Sequence, residues 1–185
     1  MTSPQTLTEA DRRVVAGWAA DCAERVLVLF EAEVPADGRP RDAIARARAY
    51  ARGELDTVGE IRQRFIAGRA AQGVNNPAAV AAARAAAQAA AVPHMGAHAL
   101  GAAAYAAMAA GLAAPDRPDS VGHEIRWQLE HMAVEARSAL GRLPALGENS
   151  AGPLGAGLLA SGFLASIIRE IQTALERPDQ LDPPT

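Results

Sequence analysis

Two histidines spaced four residues apart, His94 and His98, resemble a chemical site more than any other pair in the chain. On a helix they would lie one turn apart on the same face, a spacing that can supply two ligands to one metal ion. A third ligand would come from a later segment, where the candidates are His123, Glu124 and His131. His123 and His131 would be separated by about 12 Å along a helix, so they could not readily serve the same ion.

The histidine pair also has a structural interpretation. His94 and His98 share a helical stripe with Tyr105, Met108 and Leu112, which is typical of residues that face a core. We favour a structural or interface role over a metal site, and a metal site over acid–base catalysis, and we predict no bound metal or cofactor. The alternative is a small enzyme or small-molecule-binding protein with a pocket lined by His94, His98, Tyr105 and His131.

Missing residue types restrict the chemistry further. All 18 basic residues are arginine, so the chain has no lysine for a Schiff base or for a phosphate-binding loop of the Walker type. The single cysteine, Cys22, excludes an intrachain disulfide and a cysteine-based zinc site, and we expect it to be a small buried residue. We identify no catalytic residues, and the sequence favours a binding protein over an enzyme.

Residues 39–69 form a basic segment, with eight arginines against four acidic residues. Arg41, Arg48 and Arg52 fall near one face of a predicted helix, where such a patch can bind an acidic protein or a phosphate backbone. The whole chain has a net charge of −3 and only 4% aromatic residues, which argues against nucleic acid. We therefore predict an acidic protein partner that contacts this face, and no nucleic acid.

The elements that must position these residues are helices. Half of the chain is hydrophobic, much of that is alanine, and alanine favours helix whereas strands favour β-branched and aromatic residues. In the first helix Val14, Trp18, Cys22 and Phe30 form a core-facing stripe. We predict an all-α compact bundle of six to seven helices with no sheet, the helices covering about residues 8–34, 40–54, 57–71, 78–91, 94–112, 120–140 and 153–176.

The chain is predicted to contain one domain and to be cytoplasmic. Two long stretches without charged residues, 85–114 and 149–168, are alanine-rich or interrupted by Gly, Ser and Pro, so we expect buried helices and not membrane spans. Small residues in 155–163 could allow close helix packing, either inside the chain or in a homodimer. The expected organisation is a flexible start at 1–7, a helical domain at 8–145, an additional helix within 146–177 packed on the domain or in a dimer, and a flexible tail at 178–185.

Several segments carry a resemblance to a known family. The chain resembles the bacterial putative immunity protein family, type five, in WAADCAERVLVLFEAE (18–33), GRPRDAIARARAYARGEL (38–55) and HMGAHALGAAAYAA (94–107), and IRWQLEHM (125–132) is similar to the closing segment of that family. The resemblance implies an all-helical cytosolic protein that neutralises a toxin of a polymorphic toxin system by occlusion, and it supplies no catalytic residues. The candidate contact residues are then Arg41, Arg48 and Arg52 with the surface parts of His94, His98 and Trp127.

Overall fold

The computed structural model describes residues 3–63 and 66–177, and the predicted tail at 178–185 lies outside this range. Within it the chain forms nine α-helices and no strand, so the all-α prediction is confirmed. Short 3-10 turns occur at Pro4–Thr6, Ala71–Gly73 and Leu158–Ala160. The helices are α1 (Glu9–Glu31), α2 (Arg39–Ala51), α3 (Thr57–Gln63), α4 (Ile66–Ala70), α5 (Pro77–Ala91), α6 (His98–Ala113), α7 (Ser120–Glu130), α8 (Val134–Leu140) and α9 (Gly162–Glu176).

The first and fifth helices begin where their capping residues predict. The hydroxyl of Thr8 accepts a hydrogen bond of 3.1 Å from the amide of Asp11 at the start of α1. At the start of α5, the side-chain oxygen of Asn76 accepts from the amide of Ala78 at 2.9 Å. Pro77 follows as the first helical residue, a position where its missing N–H costs no helical hydrogen bond.

The centre of the bundle consists of the alanine-rich helices α5 and α6, which pack against each other and against α1. Because alanine lacks a long side chain, these backbones can approach closely, and most alanines of both helices are buried. Larger side chains fill the space between α1 and its neighbours. Trp18 and Cys22 are buried as predicted, whereas Val14 is 37% exposed and Val15 takes its place in the core.

The predicted helix over residues 120–140 is interrupted at residues 131–133, between α7 and α8. Two side chains satisfy main-chain oxygens near the end of α7. The indole Nε1 of Trp18 donates to the oxygen of Gln128 at 2.8 Å, and the ring Nδ1 of His131 donates to the oxygen of Trp127 at 2.9 Å. The bond from Trp18 replaces the main-chain donor that a continuing helix would supply to Gln128, because the amide of Met132 bonds to Leu129 instead. The oxygen of Trp127 also keeps its helical bond from the amide of His131, at 3.0 Å.

The N-terminal segment is attached to the rest of the chain by Gln5, although we expected residues 1–7 to be flexible. Gln5 is fully buried, and its main-chain oxygen accepts from the amide of Ala97 at 3.0 Å. Its side chain joins a distant loop, donating to the oxygens of Asn149 and Ala151 at 3.2 and 2.5 Å and accepting from the amide of Leu154 at 2.9 Å.

The last helix, α9, begins at Gly162 and not near residue 153, because residues 153–161 form a loop and a 3-10 turn. It packs on α6 of the same chain through four buried side chains, Leu164, Ile167, Ile168 and Ile171. The extension therefore completes the core of this chain. In the described ranges, no helix combines the length and apolar character needed to cross a bilayer.

Candidate protein-binding surface

Two of the three predicted contact arginines of α2 are paired with acidic residues of α1. Arg41 Nη2 lies 2.5 Å from Glu31 Oε1. Arg48 Nη2 lies 2.7 Å from Asp21 Oδ1 and also contacts Glu24. The hydrogen bond to Glu24 is the largest influence that raises the pKa of Arg48. These arginines form ion pairs across the α1–α2 surface and do not present an uncompensated basic face.

Arg52, the third of them, follows the last residue of α2 and is paired locally. Its Nε and Nη2 donate to the two carboxylate oxygens of Glu54 at 2.7 and 2.8 Å. All three guanidinium groups therefore have a carboxylate partner within this chain. The positive charge that suggested an acidic partner is therefore compensated within the chain, so these ion pairs add no support to that prediction at this surface.

The histidine pair is not arranged as a helix would place it, so that part of the prediction is wrong. Pro93 lacks an amide hydrogen and ends α5, and His94 lies in the connecting turn, whereas α6 starts at His98. The ring centroids are 6.4 Å apart, and His98 Nδ1 lies 2.8 Å from the side-chain oxygen of Gln88. Among the residues the structure describes, no group of three His, Cys, Asp or Glu side chains could hold a metal ion.

The alternative pocket is not assembled from its four predicted residues. His98 lines a cleft of about 460 Å³ together with Gln88, Arg69 and Gln72. Tyr105 is only 2% exposed, and burial raises its pKa. His131 lies elsewhere, at the end of α7. The four side chains therefore do not line a common pocket.

A surface cluster forms instead around Trp127 on α7, and we call Arg25, Trp127 and His131 the Trp127 cluster. The guanidinium carbon of Arg25 lies 3.8 Å from the centre of the Trp127 ring, close enough for a cation–π interaction. The ring of His131 stacks on the same indole, with 4.2 Å between centroids and 19° between planes. Two predicted contact residues, Trp127 and His131, thus stack on each other, and a third residue that was not predicted, Arg25, joins them at the indole.

Buried polar side chains beneath the cluster hold it in place. Arg25 Nε donates to both carboxylate oxygens of Glu124, at 3.0 and 3.1 Å, and Glu124 is only 5% exposed. Gln128 Nε2 donates to the main-chain oxygen of Ala103 at 3.2 Å and to Glu124 Oε1 at 3.4 Å. The buried carboxylate is therefore compensated by Arg25 and oriented by Gln128, which also fixes the position of the guanidinium.

The cysteine near this network is not a nucleophile. Cys22 is fully buried. Burial, followed by the negative charges of Glu124 and Asp21, raises the pKa of its thiol well above the ordinary value. A thiol with a raised pKa has little thiolate at neutral pH, and the thiolate is the reactive form.

The outer face of α1 connects the Trp127 cluster with the ion pairs of α2. Asp21 and Glu24 contact Arg48 of α2, whereas Arg25 contacts α7. Val28, one turn beyond Arg25, is 64% exposed. This surface thus combines half-buried Trp127 and stacked Arg25 with exposed Val28, and ion pairs lie around them. Such a combination is typical of surfaces that bind proteins.

Comparison with known proteins adds one match. A family model described as "Imm-5 like putative immunity protein" matches residues 5–135. This stretch contains every residue of the Trp127 cluster and ends before α9. No curated protein and no solved structure matches the chain.

Proposed function

This chain belongs to the Imm-5 like putative immunity protein family, and we propose that it binds a bacterial toxin protein and neutralises it by occlusion. Membership confirms the resemblance found in the sequence. The proposal places the protein in the bacterial cytoplasm, where its toxin would act. Occlusion means that the bound protein covers the active surface of the toxin. It requires a contact surface that is complementary in shape to the toxin, and it requires no catalytic group.

The observation that carries the proposal is the Trp127 cluster. Tryptophan and arginine are enriched among the few residues that dominate the energy of protein interfaces. Here both are already held in the unbound chain, because Arg25 is bonded to Glu124 and the ring of Trp127 contacts both Arg25 and the stacked ring of His131. A preordered surface loses less side-chain entropy on binding, which favours affinity.

The positions of the alternative-pocket residues favour a binding protein over an enzyme. Tyr105 is committed to the core and His131 to the indole of Trp127, so neither supports a site at His94 and His98. Among the described residues that line the cleft beside His98, no acid and base are arranged with a nucleophile, as nucleophilic catalysis requires.

The test uses the protein encoded by the gene beside this one, because immunity proteins are normally encoded next to their toxins. That product would be made in an inactivated form, and its complex with this chain would be measured by calorimetry. We expect a stable complex, and we expect Trp127→Ala to weaken it at least about tenfold, as loss of an interface tryptophan does. Arg52→Gln, which removes an exposed ion pair away from the cluster, is the matched control and should change the affinity little.

Protection of cells provides the functional measurement. Cells that make the active neighbouring protein should grow when this chain is co-produced, and growth should fail when the Trp127→Ala variant replaces it at equal abundance. A neighbouring protein that neither binds this chain nor becomes harmless in its presence would contradict the proposed function.

A further inference from the structure

We infer that Arg25 receives a carboxylate from the protein partner, so that one guanidinium joins a buried acid of this chain to an exposed acid of the toxin. The inference rests on the proposed function and names the chemistry of the contact. The acidic group of the partner would then lie against α1 and α7, and not against the arginines of α2.

The first support is that Arg25 donates hydrogen bonds to Glu124 from only one of its three guanidinium nitrogens. Both hydrogen bonds to Glu124 come from Nε. Within the described ranges, the two terminal nitrogens of Arg25 make no hydrogen bond, and 35% of the side chain is exposed. Two parallel N–H donors at the end of a guanidinium match the two oxygens of a carboxylate.

The second support is the position of the guanidinium over the indole of Trp127, at 3.8 Å from the ring centre. A guanidinium at this distance is attracted by the ring electrons, which adds a second contact to its bonds with Glu124. The stack and the bonds to Glu124 keep the group in one orientation, so an incoming carboxylate meets donors that are already aligned.

The third support is the exclusion of a partner cation. A lysine or arginine of the partner would seek the face of Trp127, but Arg25 already lies over that ring. It would also meet the positive charge of Arg25 at short range. A partner carboxylate would instead meet the terminal N–H donors of Arg25, which the pair with Glu124 does not use.

The acidic residues near Arg25 do not remove this preference. Asp21 and Glu24 on α1 are both engaged by Arg48, on the α2 side of the helix. Glu124 is buried beneath the guanidinium and receives its Nε–H. Glu130 next to His131 is exposed, and its charge acts on Arg126. The terminal nitrogens of Arg25 therefore remain donors that a partner carboxylate can use at this surface.

The experiment compares two variants in binding to the neighbouring-gene product. Glu124→Gln keeps the charge of Arg25, whereas Arg25→Gln with Glu124→Gln removes both charges without leaving a buried carboxylate unpaired. We expect Glu124→Gln to bind within about threefold of the parent and the double variant to bind about ten- to a hundredfold more weakly, as for loss of a charged hydrogen bond. Circular dichroism and the melting temperature would show that both variants remain folded.

A photo-crosslinking amino acid at position 28, which is exposed and lies one turn beyond Arg25, would then identify the partner peptide that faces the cluster. We expect an Asp or Glu in that peptide, whose change to Asn or Gln weakens binding to the parent chain but adds no further loss with the double variant. The inference is overturned if the complex forms but the two variants bind equally well, or if the crosslinked peptide holds no acid. Absence of any complex would instead contradict the proposed function, and the inference with it.

Discussion

The indole Nε1 of Trp18 donates a hydrogen bond of 2.8 Å to the main-chain oxygen of Gln128, joining the middle of α1 to the last turn of α7. Arg25 lies seven residues after Trp18 and Glu124 four residues before Gln128, so each pair shares one side of its helix. The bond from Trp18 therefore sets the relative position of α1 and α7 that allows Arg25 to reach Glu124. A buried contact of the core thus supports the surface where the partner is proposed to bind.

Removing this hydrogen bond should destabilise the protein and loosen the end of α7. Trp18→Phe keeps an aromatic ring but leaves the oxygen of Gln128 without its donor, at a cost of about 1–3 kcal/mol. Trp18→Ala also creates a cavity and should cost about 3–5 kcal/mol. Unfolding in urea measures both values. A Trp18→Phe variant as stable as the parent would show that the bond does not hold the two helices together.

Arg25 should contribute to stability because it compensates a buried charge. Arg25→Ala leaves the carboxylate of Glu124 without its cation, and we expect a loss of about 2–3 kcal/mol, near the lower end for buried pairs because Arg25 is partly exposed. The Arg25→Gln, Glu124→Gln variant should be closer to the parent, since no charge is left unpaired. Thermal unfolding of the three proteins decides this, and the opposite order would contradict the role assigned to Arg25.

Local signals in the sequence predict the helices whose ends are marked by capping residues or proline. Thr8 caps α1, and Asn76 caps α5 ahead of Pro77. Ser161 precedes α9 but makes no side-chain cap bond, and the predicted start of that helix near residue 153 is wrong. The division between α7 and α8 has no such local signal, and the oxygen of Gln128 at the end of α7 receives its hydrogen bond from Trp18, 110 residues away.

The candidate surface was predictable only in part for the same reason. Trp127 and His131 are four residues apart and could be selected as a helical pair. Arg25 and Glu124 are 99 residues apart, so only the folded chain brings them together. For Arg41 and Arg48 the sequence shows the positive charge but not its compensation, because their acidic partners lie on a different helix.

The attachment at Gln5 should be sensitive to small changes. Gly152 has a φ of +101°, and an added Cβ would lie 2.6 Å from Met95 Sδ and 2.7 Å from Gln5 Oε1. Gly152→Ala should therefore displace the Gln5 side chain, and Gln5→Ala should remove its hydrogen bonds directly, each destabilising by about 1–3 kcal/mol. Hydrogen exchange should quicken in residues 149–155 in both variants, and Gly157→Ala, with open space around it, is the control. Unchanged exchange there would show that Gln5 does not secure this loop.

Cys22 should resist thiol reagents in the folded protein. Burial and the neighbouring charges of Glu124 and Asp21 raise its pKa, so the thiolate stays scarce as the pH rises through the range where an exposed cysteine becomes reactive. Labelling with iodoacetamide at pH 8 should be slow in buffer and rapid in denaturant, with modified protein counted by mass spectrometry. Rapid labelling without denaturant would mean that α1 opens readily or that the thiol is activated.

The arginines of α2 should not bind nucleic acid, because Arg41, Arg48 and Arg52 are each paired with a carboxylate of this chain. A phosphate would have to displace these partners and approach a chain with a net charge of −3. We expect a dissociation constant of about 10⁻⁴ M or weaker for duplex DNA near physiological salt, measured by fluorescence anisotropy. Asp21→Asn with Glu24→Gln releases Arg48 and removes two negative charges, so this variant should bind DNA more tightly than the parent at low salt. Sub-micromolar binding by the parent that the released variant does not exceed would show that the ion pairs do not suppress phosphate binding.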